Sequence, residues 1–163
     1  MKNRILNAVL FLYVISLVIA CNPGKKDSTN TVVDKEKIKT EIQAKEDEFA
    51  ATYNSGVAKN IGYYADDAIS FAQHRAPLVG KQAIVKYLID DLDAFSKSNK
   101  ISFKTNDVFV SNDGNLVIEV GYYKVVDSNN SDVNTGNYMC LFEKRDGKYV
   151  CVRDMSATDM PAK

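Results

Sequence analysis

Histidine occurs once in these 163 residues, at position 74, so any mechanism that needs an imidazole depends on His74 alone. One histidine and scattered carboxylates do not make a metal-ligand set, and Cys21, Cys140 and Cys151 lack zinc spacing. Charge of one sign is missing too. The 21 basic residues balance the 21 acidic ones, which leaves no field to attract a nucleic acid. The chain has no glycine-rich phosphate loop, no dinucleotide fingerprint and no serine or cysteine nucleophile motif. No metal, no cofactor and no nucleic-acid partner is therefore expected.

The N-terminus has the layout of a secretory signal: Lys2 and Arg4, then an apolar stretch over residues 5–20 broken only by Asn7 and Ser16. That stretch is shorter than the roughly 20 residues that span a bilayer. Val18-Ile19-Ala20-Cys21 resembles a lipobox, in which Cys21 is acylated and becomes the first residue of the mature protein. Each buried methylene contributes about 0.8 kcal/mol, so a multiply acylated cysteine holds a domain at a membrane surface. The expected organisation is a signal peptide at 1–20, a polar tether at 21–33 and one domain at 34–163, in the cell envelope and facing the periplasm or the exterior. Loss of Lys2 and Arg4 leaves 19 basic against 21 acidic residues.

Within the domain, Ile38, Ile42, Phe49, Ala50 and Tyr53 trace one face of a helix over residues 33–54, which Gly56 ends. A helical turn at 57–64, a strand at 68–72 and an extended connector at 76–80 follow. A second helix over 81–95 buries Ile84, Leu88, Leu92 and Phe95, flanked by Tyr87. Four strands come next, at 101–110, 116–126, 133–144 and 148–156, separated by turns at Asn112-Asp113-Gly114, Ser128-Asn129-Asn130-Ser131 and Asp146-Gly147. Helices followed by an antiparallel meander give an α+β class. In the last hairpin, alternation puts Tyr138, Cys140, Phe142, Tyr149, Cys151 and Met155 on one face and Met139, Leu141, Val150 and Val152 on the other. Both faces are apolar. One covers the helices, and the other suits a homodimer through the outer face of the sheet. A two-residue loop sets Cys140 opposite Arg153 and Cys151 opposite Phe142, leaving buried free thiols; a four-residue loop sets the two cysteines opposite each other, where they could bridge.

This layout resembles the SnoaL-like and ketosteroid isomerase-like domains of the nuclear transport factor two-like superfamily. The likeness is carried by Tyr53-Asn54-Ser55-Gly56, Tyr64-Ala65-Asp66-Asp67-Ala68, Pro77-Leu78-Val79-Gly80-Lys81-Gln82-Ala83-Ile84, Gly121-Tyr122-Tyr123, and Asp146-Gly147-Lys148-Tyr149 with Val152-Arg153-Asp154-Met155. The resemblance implies helices packed in the concave face of a strongly curved antiparallel sheet, a cone-shaped cystatin-like roll whose open end is a pocket. The family's isomerases pair a tyrosine and an aspartic acid as an oxyanion hole with a separate aspartate base, and that constellation finds no matching motif here. Fold carries little information about reaction in such a family.

Given that pocket, Tyr53, Tyr64, Phe71, Tyr87 and Phe103 are candidate walls or plain core. His74 stands near the mouth, as a ligand contact or a solvated loop residue. Glu119 interrupts the apolar run 116–120; it either faces solvent or lines the pocket, with Lys124, Tyr122 or Tyr123 as partner. Asp154 shares a strand face with Val150 and Val152 by alternation. It is a desolvated candidate base on the concave face, or it pairs with Arg153, Lys124 or a backbone amide at the rim. The leading expectation is a binding module for a small, largely apolar ligand. The alternatives are an isomerase, dehydratase or hydrolase using Asp154 or His74 as base, and a structural lipoprotein with a vestigial pocket.

Overall fold

A computed structural model describes residues 33–94 and 98–161. The expected signal peptide, Cys21, the tether up to residue 32 and Phe95 lie outside the described residues. Helix α1 (Lys35–Asn54) starts where Asp34 accepts a hydrogen bond from the Lys37 amide at 3.0 Å, an N-cap that satisfies one orphan donor. It buries Ile42, Glu46, Phe49, Ala50 and Tyr53 at helical spacing, and Gly56 (φ 77°) turns the chain beyond its end. The helical turn expected at 57–64 shrinks to a 3₁₀ turn at Ala58–Asn60. Strand β1 (Tyr64–Phe71) begins earlier than the expected residue 68, because Tyr64 pairs in parallel with Cys151 and the Cys151 amide donates to the Tyr63 carbonyl at 2.9 Å. Tertiary pairing here overrides local preference.

A short strand β2 (Leu78–Val79) follows, then helix α2 (Lys81–Ala94), β3 (Lys100–Val110), β4 (Leu116–Val126), β5 (Asp132–Arg145) and β6 (Lys148–Thr158). The sheet order is β2-β1-β6-β5-β4-β3, antiparallel throughout except for β1 beside β6, and it is not closed. Both helices pack against this sheet. At one end of the layer Ile42, Val108, Val117, Phe142 and Tyr149 are fully buried and fill the interior. Burial of each such side chain is worth about 1.5–3 kcal/mol.

Two bulges decide which side chains face the helices. In β3, Thr105 pairs with Gly121 and Asp107 with Val120, so Asn106 is an extra residue. In β6, Cys151 pairs with Phe142 and Arg153 with Leu141, so Val152 is the extra one. The Asp146-Gly147 turn has two residues, both with positive φ (50° and 78°), and sets Arg145 opposite Lys148. The bulge then moves Cys140 from opposite Arg153 to opposite Asp154. Simple alternation is thereby corrected. Met155, grouped with Cys151, is on the outer face and 54% exposed, while Asp154 joins Cys140 on the helix-facing side. Both thiols are buried and free.

Across β4 and β5, two glycine–tyrosine pairs face the helices: Gly121 opposite Tyr138, and Tyr123 opposite Gly136. A Cβ on Gly121 would fall 2.2 Å from Tyr138 Cζ, and one on Gly136 would fall 2.5 Å from Tyr123 Cε1. Each ring fills the space that a side chain on the opposing glycine would take.

Candidate functional site

The opposite end of the layer is hollow. A cavity of about 420 Å³ opens between the helices and the sheet. The starts of β3 and β5 and the ends of β1, β4 and β6 form one wall. The second half of α1 and most of α2 form the other. Its buried floor is Glu46, Tyr63, Tyr64, Ser70, Tyr138 and Cys140, with Asp154 beside them; exposed Phe71, Gln73, Asp91, Met155 and Ser156 form the rim.

The walls are aromatic because α1 and the strands each contribute rings to one cluster. Phe49 stacks with Tyr53 at 6.1 Å and meets Tyr63, Tyr64 and Phe103 edge-on at 5.0, 6.3 and 5.5 Å. Phe103 meets Tyr138 edge-on at 5.5 Å. Each such pair contributes about 0.5–1.5 kcal/mol beyond its burial, so the wall is stiff before any ligand arrives. Tyr53 donates to Asp91 Oδ2 at 2.5 Å near the mouth.

Asp154 is brought in by the β6 bulge. Its Oδ2 accepts from the Tyr64 hydroxyl at 2.7 Å, while Oδ1 is buried and has no hydrogen-bond partner of good geometry. Burial pushes the carboxyl above its usual range, against the opposing pull of the Ser70 and Tyr64 hydroxyls. The partners offered by the sequence are used elsewhere: Lys124 pairs with Asp132 at 2.8 Å, and Arg153 donates to the Asp67 carbonyl at 3.4 Å.

A second acidic group is buried deeper. Glu46, 2% exposed, accepts from Tyr63, whose hydroxyl also lies 3.2 Å from Cys140 Sγ. Glu119 is fully buried, and its Oε1 accepts from Thr105 at 2.6 Å and Tyr138 at 2.8 Å, while Oε2 has no partner of good geometry. Ligand-capable atoms of Glu46, Glu119 and Cys140 lie within 4.8 Å of one another. Burial first, and then the facing Glu119 carboxylate, push Glu46 well above the carboxylate range; burial raises Glu119 as well. Two carboxyls this close and this dry hold one proton between them. Burial also pushes the Tyr63, Tyr64 and Tyr138 hydroxyls up, so they remain donors.

Of the residues singled out in the sequence, Tyr53, Tyr64, Phe71, Tyr87, Phe103 and Asp154 line the cavity. Glu119 lies behind the wall, bonded to Tyr138 rather than to Tyr122, Tyr123 or Lys124. His74 is exposed in the turn between β1 and β2, with φ 59°, and is not a lining residue. Asp66 is exposed, and Asp67 is held by Arg145 at 2.6 and 3.0 Å outside the cavity. The sequence reading missed Glu46, Tyr63, Tyr138 and Asp91. Glu46 left a signal: it fills the gap between Ile42 and Phe49 on the apolar stripe of α1, where a charge has no solvent to face.

No protein-family model matches the chain, and no curated protein matches it. Solved structures do. A domain of unknown function with a cystatin-like fold from Nostoc punctiforme is 13% identical with a TM-score of 0.67, over 78% of this chain and 81% of that one. An NTF2-like protein with a cystatin-like fold from Novosphingobium aromaticivorans is 16% identical with a TM-score of 0.63, over 78% and 85%. A ketosteroid isomerase-like protein from Erwinia carotovora atroseptica is 14% identical with a TM-score of 0.56, over 75% and 96%. At these identities the likeness is one of fold. The chain has the cystatin-like, NTF2-like fold, with two helices packed against a six-stranded, mostly antiparallel, open sheet.

Proposed function

We propose that this domain binds a small, largely apolar molecule in the cavity between its helices and its sheet. One observation carries the reading: a ring-walled hollow of about 420 Å³ has a half-buried carboxylate, Asp154, in its wall. Burying a charged group without compensation is costly, and a donor on a ligand would offset that cost. The volume is at the small end of the range that takes organic ligands. Native mass spectrometry of the purified protein tests this. A co-purified small molecule that is lost when Leu88→Trp fills the hollow supports it; an empty wild-type protein that also takes up no apolar probe refutes it.

A proton-transfer enzyme is the second reading, favoured by the raised basicity of Asp154 inside a partly dry site. Loss of turnover in Asp154→Asn with the fold intact would single it out. We also propose that Cys21 is acylated and tethers the domain in the cell envelope, so Cys21→Ala moves the protein from the membrane fraction to the soluble one. The outer sheet face carries a band of Phe109 opposite Ile118, Ile118 opposite Leu141, and Met139 opposite Met155. That band suits a second copy of the chain. A monomer at micromolar concentration in sedimentation would remove the dimer from this account.

A further inference from the structure

We infer that the ligand of this cavity is a cation: a protonated amine on an apolar body, seated with its ammonium on Asp154 and its body among the tyrosine rings. The inference rests on the proposed binding role and narrows it to a chemical class. Among the described residues that line the hollow are three carboxylic acids, Glu46, Asp91 and Asp154, and no lysine, arginine or histidine. Arg75 lies 4.4 Å from the centre of the Tyr87 ring but is not a lining residue. An anion entering here would meet carboxyl groups and no cationic lining residue. A neutral donor would bond to the Asp154 carboxylate and leave the charge uncompensated. An ammonium does both, because it donates to the Asp154 carboxylate and neutralises it in a partly dry site.

The walls favour the same class. Tyr53, Tyr64, Tyr123, Tyr138, Phe49 and Phe103 all line the hollow. Ring faces carry negative potential and attract cations, most strongly where water is excluded. Tyr64 fixes the carboxylate by holding Asp154 Oδ2 at 2.7 Å, so its negative charge is held at the cavity wall before a ligand arrives.

Three probes with one indole body separate the possibilities: tryptamine, tryptophol and indole-3-acetate. Their affinities for the purified full-length protein and for Asp154→Asn are measured by titration calorimetry at neutral pH. A hydrogen bond to a charged group is worth about 1.5–3 kcal/mol, so tryptamine should bind the wild type about 10- to 100-fold more tightly than tryptophol. Indole-3-acetate should bind least. Asp154→Asn should weaken tryptamine at least about tenfold and tryptophol less than about threefold. If tryptophol or indole-3-acetate binds as tightly as tryptamine, the cation inference falls while the receptor reading stands. If none of the three binds, both fall. An amine preference that survives Asp154→Asn overturns the role given to Asp154. Should that variant fail to fold, the wild-type ranking decides.

Discussion

Gly121→Ala should damage the site and the fold together, through Tyr138. The added methyl would lie 2.2 Å from Tyr138 Cζ, 2.3 Å from its oxygen and 2.5 Å from Cε1. Distances this short cannot persist, so the ring must leave the glycine. Its hydroxyl then leaves Glu119 Oε1, now 2.8 Å away, and Thr105 becomes that oxygen's remaining donor. Overpacking a well-filled interior costs about 1–3 kcal/mol, and losing a hydrogen bond to a buried charged group costs about 1.5–3. The sum, about 2.5–6 kcal/mol, corresponds to a fall in Tm of roughly 10–20 °C for a domain of this size. Urea unfolding and calorimetry measure it. Adding Tyr138→Ala removes the clash, so the double variant should cost at least about 1 kcal/mol less than the sum of the singles. A Gly121→Ala protein that melts within about 3 °C of wild type, or strictly additive changes, would refute the packing argument.

Glu46 gives a pH-dependent prediction. Its carboxyl is raised in the folded state, so its contribution to stability is fully present below the ordinary glutamate range and is lost as pH rises. Glu46→Gln mimics the protonated form at every pH, and should gain on wild type as urea midpoints are compared from about pH 4 to about pH 8. An equal difference at both ends would sink the shared-proton account. Exposed Asp113, held down to about 2 by Ser111 and Asn115, contributes in the opposite sense, with stability lost in acid. Cys140 and Cys151 are buried with thiols pushed up, so an aromatic disulfide reagent should label them only after unfolding; labelling in the native state would contradict their placement. His74→Ala should leave binding of any cavity ligand unchanged, and a tenfold loss would mean that the turn after β1 closes over the mouth.

What the sequence revealed and what it concealed divide along physical lines. The helices were legible because Ile42, Phe49, Tyr53 and Ile84 repeat at helical spacing, and the last hairpin was legible because Asp146-Gly147 supplies the two positive-φ residues of a tight turn. The cavity's aromatic wall was partly legible as rings on several elements. The bulge at Val152 was not, since one unpaired residue leaves no periodic trace, and it alone exchanges Asp154 and Met155 between the two faces. The Glu46–Glu119 pair was hidden for another reason. Residues 73 positions apart meet only when α1 packs on the sheet, and the place of Glu46 on the apolar stripe marks it as buried without naming Glu119 as its neighbour. His74 drew notice because it is the lone histidine, yet rarity in composition does not place a side chain in a cavity.

The central claim is that a partly desolvated carboxylate, Asp154, stands in the wall of a sheltered hollow. Carbon-13 NMR titration of the aspartate side-chain carboxyls tests it most directly. The account predicts one aspartate titrating above the ordinary value of about 3.9, absent from Asp154→Asn and moving down when tryptamine binds. An Asp154 carboxyl that titrates at or below the ordinary value, with or without the amine, would contradict it.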